Sequence, residues 1–468
     1  MKNIQPFLNS RISPRFLLLL IFLLGLGLRL YKLDFQSFWL DEYYNIAVAS
    51  QIKSLFHGFN GLPPAYIFLL KEWLAFFPLS EITARLPSAI IGSLSVLLFY
   101  QLGKELFNTR IALWASFFLA ISTIHIDCSQ EAKQYPLMFV MVMLMQLEFV
   151  RILKYNRPVN YILYGLFSTI GFYTHFFLLT LFLLHNLFLI FHRRINRSMI
   201  SKIFLVQFIA ICCLAPRLVL ALRDPGWITG NLAWIPHPTL AIITGTTTSL
   251  FSARFGLPPY SLIGRDSHIL EVCFGVLIAL LIIFILRNLP KTRGSCDVLG
   301  LIIFWSILPS IIFLGWSFLF FNIYQFRYLL DTVLALYLLY GWLMDTEKSK
   351  IFRVFFVSVI IFINTTNLIF YFNHPVRHQF RETAAVIRQT GKTNDRILVQ
   401  GYQYEQVLFK YYLEKLGGQN LVEFRTKSDT FTPYDYDWIV AVNANKIDTA
   451  QYHFAVKYFY GIALYQKI

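Results

Sequence analysis

The stretch FLLLLIFLLGLGLRLYKLDFQSFWLDEYY, Phe16 to Tyr44, decides the fold. Its first part, Phe16–Leu30, is an apolar run, and its second part carries the adjacent acids Asp41 and Glu42. An α-helix rises about 1.5 Å per residue, so crossing the hydrocarbon takes about 20 residues, fewer when flanking side chains snorkel. The run follows Lys2, Arg11 and Arg15 and has the outline of a signal peptide, but no small-x-small cleavage site follows it. It reads as a retained signal anchor, with its basic end in the cytoplasm and the acidic pair just outside the bilayer.

The rest of the chain has the same texture. Of 468 residues, 57% are apolar and 14% charged, against about 25% charged in an ordinary soluble domain. Apolar side chains in that proportion need a bilayer as their solvent. The net charge is +16, yet the cations sit in short clusters between apolar runs, not in one basic arm of the kind that binds nucleic acid. The cysteines Cys128, Cys212, Cys213, Cys273 and Cys296 form no CxxC pair, so no disulfide framework or zinc ribbon is implied.

Apolar runs recur at Phe16–Leu30, Leu86–Leu106, Ile111–Ile124, Pro136–Val150, Val159–Tyr173, Phe176–Phe191, Ile203–Leu222, Ile269–Leu286, Val298–Trp316, Tyr328–Met344 and Ile351–Phe372. Threading these eleven runs with the N-terminus inside leaves six cytoplasmic segments: the N-terminus, Lys104–Arg110, Arg151–Arg157, Arg193–Lys202, Arg287–Arg293 and Lys348–Arg353. Every one holds at least two Lys or Arg, so all obey the positive-inside rule, which the opposite threading violates. The chain therefore reads as a multi-pass protein of the plasma (inner) membrane, with about eleven transmembrane helices.

The outside segments are longer and richer in Asp, Glu, His, Trp and Pro. Tyr66–Phe77 (YIFLLKEWLAFF) reads as an interfacial helix, and Leu240–Phe251 as re-entrant or interfacial. From His374 onward charge rises. Phe380, Ala384 and Ile387 fall at helical spacing, Arg396–Gln400, Trp438–Val442 and Ile462–Gln466 read as strands, and Glu405–Leu416 as a helix stopped by Gly417-Gly418. The expected fold is a polytopic all-α membrane bundle over residues 1–373 with a small extracytoplasmic α/β domain over 374–468. No phosphate-cradling glycine loop appears in that domain.

Three constellations carry chemistry. Asp41 and Glu42 follow the first helix where partial desolvation raises a carboxylate toward the range of a useful base. Ser129-Gln130-Glu131-Ala132-Lys133 sets a second acid at an outer helix end. A bundle that gathers Asp41, Glu131 and His175 offers a divalent-metal site, or a base and an orienting group. Last, His57, Arg85, His175, Arg254, Arg265 and Arg327 are scattered over the outer segments. A guanidinium fork suits a phosphate oxygen pair; snorkelling to ordinary headgroups is the bland use of the same side chain.

The order of these motifs resembles a family. The acidic pair is followed by Gly61-Leu62-Pro63-Pro64-Ala65-Tyr66, Ala84-Arg85-Leu86-Pro87-Ser88, Ser129-Gln130-Glu131-Ala132-Lys133, Tyr173-Thr174-His175 and Arg327-Tyr328-Leu329-Leu330. This series is similar to the bacterial branch of the GT-C glycosyltransferases that includes protein O-mannosyltransferases and the aminoarabinose lipid A transferase. The resemblance implies inverting transfer of a hexose or pentose from a polyprenyl-phosphate donor to a hydroxyl on a lipid, glycan or protein acceptor. It implies Asp41 as the base, with Glu42 and Glu131 as the other catalytic acids. Arg85, Lys133, His175 and Arg327 are then substrate-binding, Arg85 and Arg327 holding the donor phosphate. Where the aminoarabinose branch has Glu-Lys before the paired prolines, this chain has Gly61-Leu62. A transporter or flippase for a lipid-linked substrate is the competing reading; it predicts mid-membrane charges and repeated halves, and no internal repeat is evident here.

Overall fold

The computed structural model describes residues 13–52, 64–191, 195–223, 232, 235–252, 296–418, 421–425, 433–442 and 454–467. The expected span Ile269–Leu286, together with His57, Gly61–Pro63, Arg254 and Arg265, lies outside the described residues.

The helices up to residue 373 run in the order α1 (Pro14–Leu30), α2 (Leu40–Ala49), α3 (Pro64–Phe76), α4 (Glu81–Leu106), α5 (Thr109–Ile121), α6 (Thr123–Ser129) and α7 (Tyr135–Tyr155). They continue as α8 (Pro158–Thr174), α9 (Leu179–Phe191), α10 (Arg197–Arg223), α11 (Leu240–Ser252), α12 (Cys296–Leu319), α13 (Asp331–Thr346) and α14 (Lys350–Asn373). Each expected apolar run among the described residues falls on one of these helices, or on the bent pair α5–α6. By length and composition, five described helices can cross a membrane, six with that pair counted as one span. The Tyr66–Phe77 segment is helical within α3, and Leu240–Phe251 lies in a continuous helix of 13 residues, short for a crossing.

Two compact units emerge. The first comprises Met1–Tyr31, Ile52–Leu69 and Leu86–Leu368; the second comprises Lys32–Gln51, Leu70–Arg85 and Ile369–Ile468. The boundary expected at 373/374 thus falls a few residues early, and the acid-bearing loop after α1 joins the C-terminal unit. Sequence contiguity hid this, because the loop's C-terminal partners are more than 300 residues downstream.

In the first unit α5 packs along both α13 and α1, and α7 along α8. Lipid-type faces remain open, as at Phe16, Leu19 and Leu23 on α1. The α5–α6 pair bends by 60° between Ile121 and Thr123. The break is well capped. Ser122 accepts from the His125 N–H, Asn364 Oδ1 accepts from the Thr123 N–H at 3.0 Å, and Arg29 donates to the terminal carbonyls of α5, Leu119 and Ala120, at 3.1 Å each. Orphan groups at both sides of the break are thereby satisfied inside a region where water is scarce. Gly92 lies against α6: a Cβ there would stand 2.1 Å from Ser129 Oγ, so only glycine permits this approach.

The second unit closes with α15 (Phe380–Thr390), β1 (Arg396–Gln400), α16 (Gln403–Lys415), β2 (Leu421–Arg425), β3 (Trp438–Val442), β4 (Phe454–Phe459) and β5 (Ile462–Lys467). The sheet order is β2-β1-β3-β5-β4. β1 pairs in parallel with β2 and β3, and β5 is antiparallel to β3 and β4. Helix α16 is the crossover that a parallel β1–β2 pair requires. Phe380, Thr383, Ala384 and Ile387 form the buried stripe of α15 at helical spacing. Strands β2 and β4 were not anticipated: β4 carries the exposure pattern of an edge strand, unlike the continuously buried runs of β3 and β5.

Candidate active site

In the second unit the loop between α1 and α2 is irregular, with turns and a bend over residues 31–36, and Asp41 and Glu42 lie in the first turn of α2. Carboxylates are favoured there by the helix N-terminus. Asp41 is half-buried and Glu42 fully buried. Arg85, at 1% exposure, holds Glu42 in a two-pronged pair: Nε to Oε1 and Nη2 to Oε2, both 2.8 Å. Its remaining N–H groups go to backbone: Nη1 donates to the carbonyls of Leu33 and Gln36 at 2.9 and 2.8 Å, and Nη2 to Ser37 at 3.1 Å. The Phe38 ring lies 5.4 Å from the guanidinium carbon. Arg377 adds a second cation 3.7 Å from Glu42.

These contacts bear on two expectations. A guanidinium has five N–H donors, and all five of Arg85 are engaged with protein. Glu42 lies between Arg85 and Arg377.

In the first unit, α6 delivers the Ser129–Lys133 segment into the interior, where Glu131 and Lys133 are both buried. Gln130 Nε2 donates to the last carbonyls of α1, Arg29 at 3.0 Å and Tyr31 at 2.9 Å. Ser88 Oγ donates to the Lys133 carbonyl at 3.2 Å and exchanges a 2.6 Å hydrogen bond with the Tyr66 hydroxyl. Residues from three of the sequence motifs are thus joined directly. Arg327, in the short 3-10 turn Phe326–Tyr328, stands 3.6 Å from Glu131 and over the Tyr135 ring at 5.6 Å. His175, in the turn after α8, has the rings of Phe177, Tyr328 and Tyr135 at 5.6, 5.7 and 6.4 Å. Burial, and then the Lys133 ammonium, push the His175 imidazole down to about 4, so it is neutral at pH 7. The result is a buried cluster of two cations and one acid under an aromatic wall.

Residues 62–220 match the family model for dolichyl-phosphate-mannose-protein mannosyltransferase. Among solved structures, apo ArnT from Cupriavidus metallidurans is 12% identical, with a TM-score of 0.57 and coverage of 97% of each chain. The chain has the GT-C glycosyltransferase fold. The same fold is shared by ArnT from that organism bound to undecaprenyl phosphate, with a TM-score of 0.52, 12% identity and 97% coverage of each chain. It is shared also by the Archaeoglobus fulgidus oligosaccharyltransferase tethered with an acceptor peptide, with a TM-score of 0.55, 11% identity, and coverage of 98% of this chain and 74% of that one. No curated protein matches the chain.

Within this GT-C fold the expected site residues sort by unit. Asp41, Glu42 and Arg85 belong to the second unit; Glu131, Lys133, His175 and Arg327 belong to the first. Among the described residues, no three His, Cys, Asp or Glu side chains gather to hold a metal ion. Sequence reasoning missed Arg29, Glu81, Tyr135, Arg377, Arg381 and Tyr412. Arg29 carried a signal, since an ionisable residue next to an apolar run marks a structural or functional site. The others are ordinary residues whose importance comes from what they touch.

Proposed function

We propose that the chain is a membrane glycosyltransferase that moves a sugar from a polyprenyl-phosphate donor to an acceptor hydroxyl on the outer face of the membrane. The observation that carries this reading is the GT-C fold over 97% of both this chain and ArnT, one of whose structures holds undecaprenyl phosphate. The family model over residues 62–220 supports it. On this reading the Asp41 carboxylate takes the proton of the acceptor hydroxyl. The freed oxygen attacks the anomeric carbon, the bond from that carbon to the phosphate oxygen breaks, and the polyprenyl phosphate leaves as an anion. Lys133 and Arg327 stabilise the departing charge, where Arg327 offers a fork and Lys133 a point charge. Glu131 orients Arg327, and neutral His175 hydrogen-bonds substrate. Arg85 and Glu42 position the acidic loop.

The deciding experiment uses the full chain in lipid discs with undecaprenyl-phosphate mannose, reading release of undecaprenyl phosphate, alongside mass spectra of cellular glycans and glycolipids with and without the protein. Wild type cleaves donor; Asp41→Asn, still folded, loses about 10²–10⁴-fold, the usual contribution of a general base. Near-normal turnover by that variant removes Asp41 from the base role. Movement of an intact lipid-linked sugar with no cleavage would favour the flippase reading. The orientation is tested separately: a reporter active only outside the cytoplasm should work when fused after Asn373, and silence there reverses the topology.

A further inference from the structure

The segment ahead of Asp41 is neither helix nor strand, yet Leu33 and the run Gln36–Phe38 are buried, and the backbone groups there need partners. The carbonyls of Leu33, Gln36 and Ser37 go to Arg85. Those of Asp34 and Phe35 go to Arg381, at 2.9 Å each. Five consecutive carbonyls are therefore held by two guanidinium groups. The Phe38 N–H donates to the Tyr412 hydroxyl at 2.7 Å, and that hydroxyl donates onward to Glu81 at 2.9 Å. Ser37 Oγ donates to Glu382 at 2.5 Å, and Gln36 bridges the His374 carbonyl and the Val376 N–H. Beyond Asp41, the Tyr44 ring meets Tyr404 edge-on at 4.5 Å, and Tyr43 faces Tyr411 at 5.7 Å.

All of these partners except Arg85 and Glu81 come from α15, α16 or the stretch leading to them. A domain that merely folded beside the loop would bury side chains against it. This one binds the loop's backbone, atom by atom, over the residues that set the direction of α2. Tyr412 is central: fully buried in α16, it holds the amide three residues before Asp41 and ties it to Glu81 at the start of α4. Its phenol is raised above its ordinary range by burial and by the neighbouring Glu81 charge, which keeps it a hydrogen-bonding hydroxyl.

We propose that the C-terminal α/β domain positions the catalytic loop, with Tyr412 as the positioning residue that fixes the carboxylate of Asp41 through the Phe38 amide. Arg381 and Ser37–Glu382 reinforce the same backbone. The proposal rests on Asp41 being the base.

The test compares wild type, Tyr412→Phe, Asp41→Asn and the double variant in lipid discs, with undecaprenyl-phosphate mannose as the donor probe. Tyr412→Phe keeps the ring and deletes only the hydroxyl. It should lower kcat about 10–100-fold, as a small misplacement of a reacting group does, with donor KM within about twofold. The double variant should be no slower than Asp41→Asn alone, because a residue that acts only through Asp41 has nothing further to lose. Wild-type kcat in Tyr412→Phe, or a double variant slower by the full product of the single losses, overturns the positioning role while leaving Asp41 as base. Retained activity in Asp41→Asn instead overturns the base reading, and the proposal with it. If Tyr412→Phe fails to accumulate, Ser37→Ala carries the same double-variant test with a smaller loss.

Discussion

Arg29 and Arg85 are both fully buried, one in each unit, and they satisfy their N–H groups in opposite ways. Arg85 has a carboxylate: Glu42 takes two of its N–H groups and backbone carbonyls take three. Arg29 has no carboxylate within ion-pair distance among the described residues. Its Nη1 donates to Gly25 and Ala120 at 2.8 and 3.1 Å, its Nη2 to Leu119 at 3.1 Å and to His125 Nδ1 at 2.9 Å, and its Nε has no partner. Because Arg can only donate, His125 Nδ1 must accept, which leaves the ring proton on Nε2, facing Ser95 Oγ at 3.2 Å. The negative end of α5 takes the place of a counter-ion. The two arginines differ because their tasks differ. Arg29 caps a helix break inside the membrane bundle, whereas Arg85 fixes an irregular loop whose direction decides where an acid points.

The comparison can be broken by removing each arrangement's key partner. Glu42→Ala leaves Arg85 as a buried cation short of its carboxylate, and should destabilise by about 3–5 kcal/mol, the cost of breaking a buried pair. Arg29→Met replaces a charge by an apolar chain of similar reach. It removes a costly buried cation along with its hydrogen bonds, so the expected loss is about 1–2 kcal/mol. Denaturant unfolding of the purified protein in detergent measures both. A loss in Arg29→Met equal to or above that of Glu42→Ala would show that the helix terminus is as strong a counter-ion as the carboxylate, and the distinction would fall.

A smaller effect sharpens the same contrast. His175 is buried beside a cation with its pKa depressed to about 4, against an ordinary value of 6.5. The folded state therefore binds fewer protons than the unfolded one between those values. Stability is unaffected above pH 6.5 and declines as pH falls toward 4. Ring-nitrogen NMR of His175 should show no titration between pH 5.5 and 8. A midpoint near 6.5 would mean that the ring is hydrated and not enclosed with Lys133.

Much of this was legible in the residues. Apolar runs and the basic segments between them located the described helices, because both signals are local in sequence and the bilayer imposes them regardless of packing. The α15 stripe and strands β1, β3 and β5 were legible for the same reason. The motif series pointed to Asp41, Glu131, Lys133, His175 and Arg327, but it could not say which cations are spent within the protein. Arg85 and Arg327 look alike as single residues at outer helix ends. Only the tertiary structure shows that Arg85 meets five protein acceptors around Glu42 while Arg327 stands 3.6 Å from Glu131.

The sequence by itself determined that this chain is a membrane bundle with an acidic loop and an α/β tail, since hydropathy and charge act residue by residue. The tertiary structure alone decided that the loop belongs to the tail. Its backbone groups are identical in every sequence; Arg381 donates to two of its carbonyls and the Tyr412 hydroxyl accepts from its Phe38 N–H, and both residues lie more than 340 residues away. Pairing of that kind leaves no local pattern to read, because hydrogen-bond satisfaction depends on distance in space and not on order in the chain.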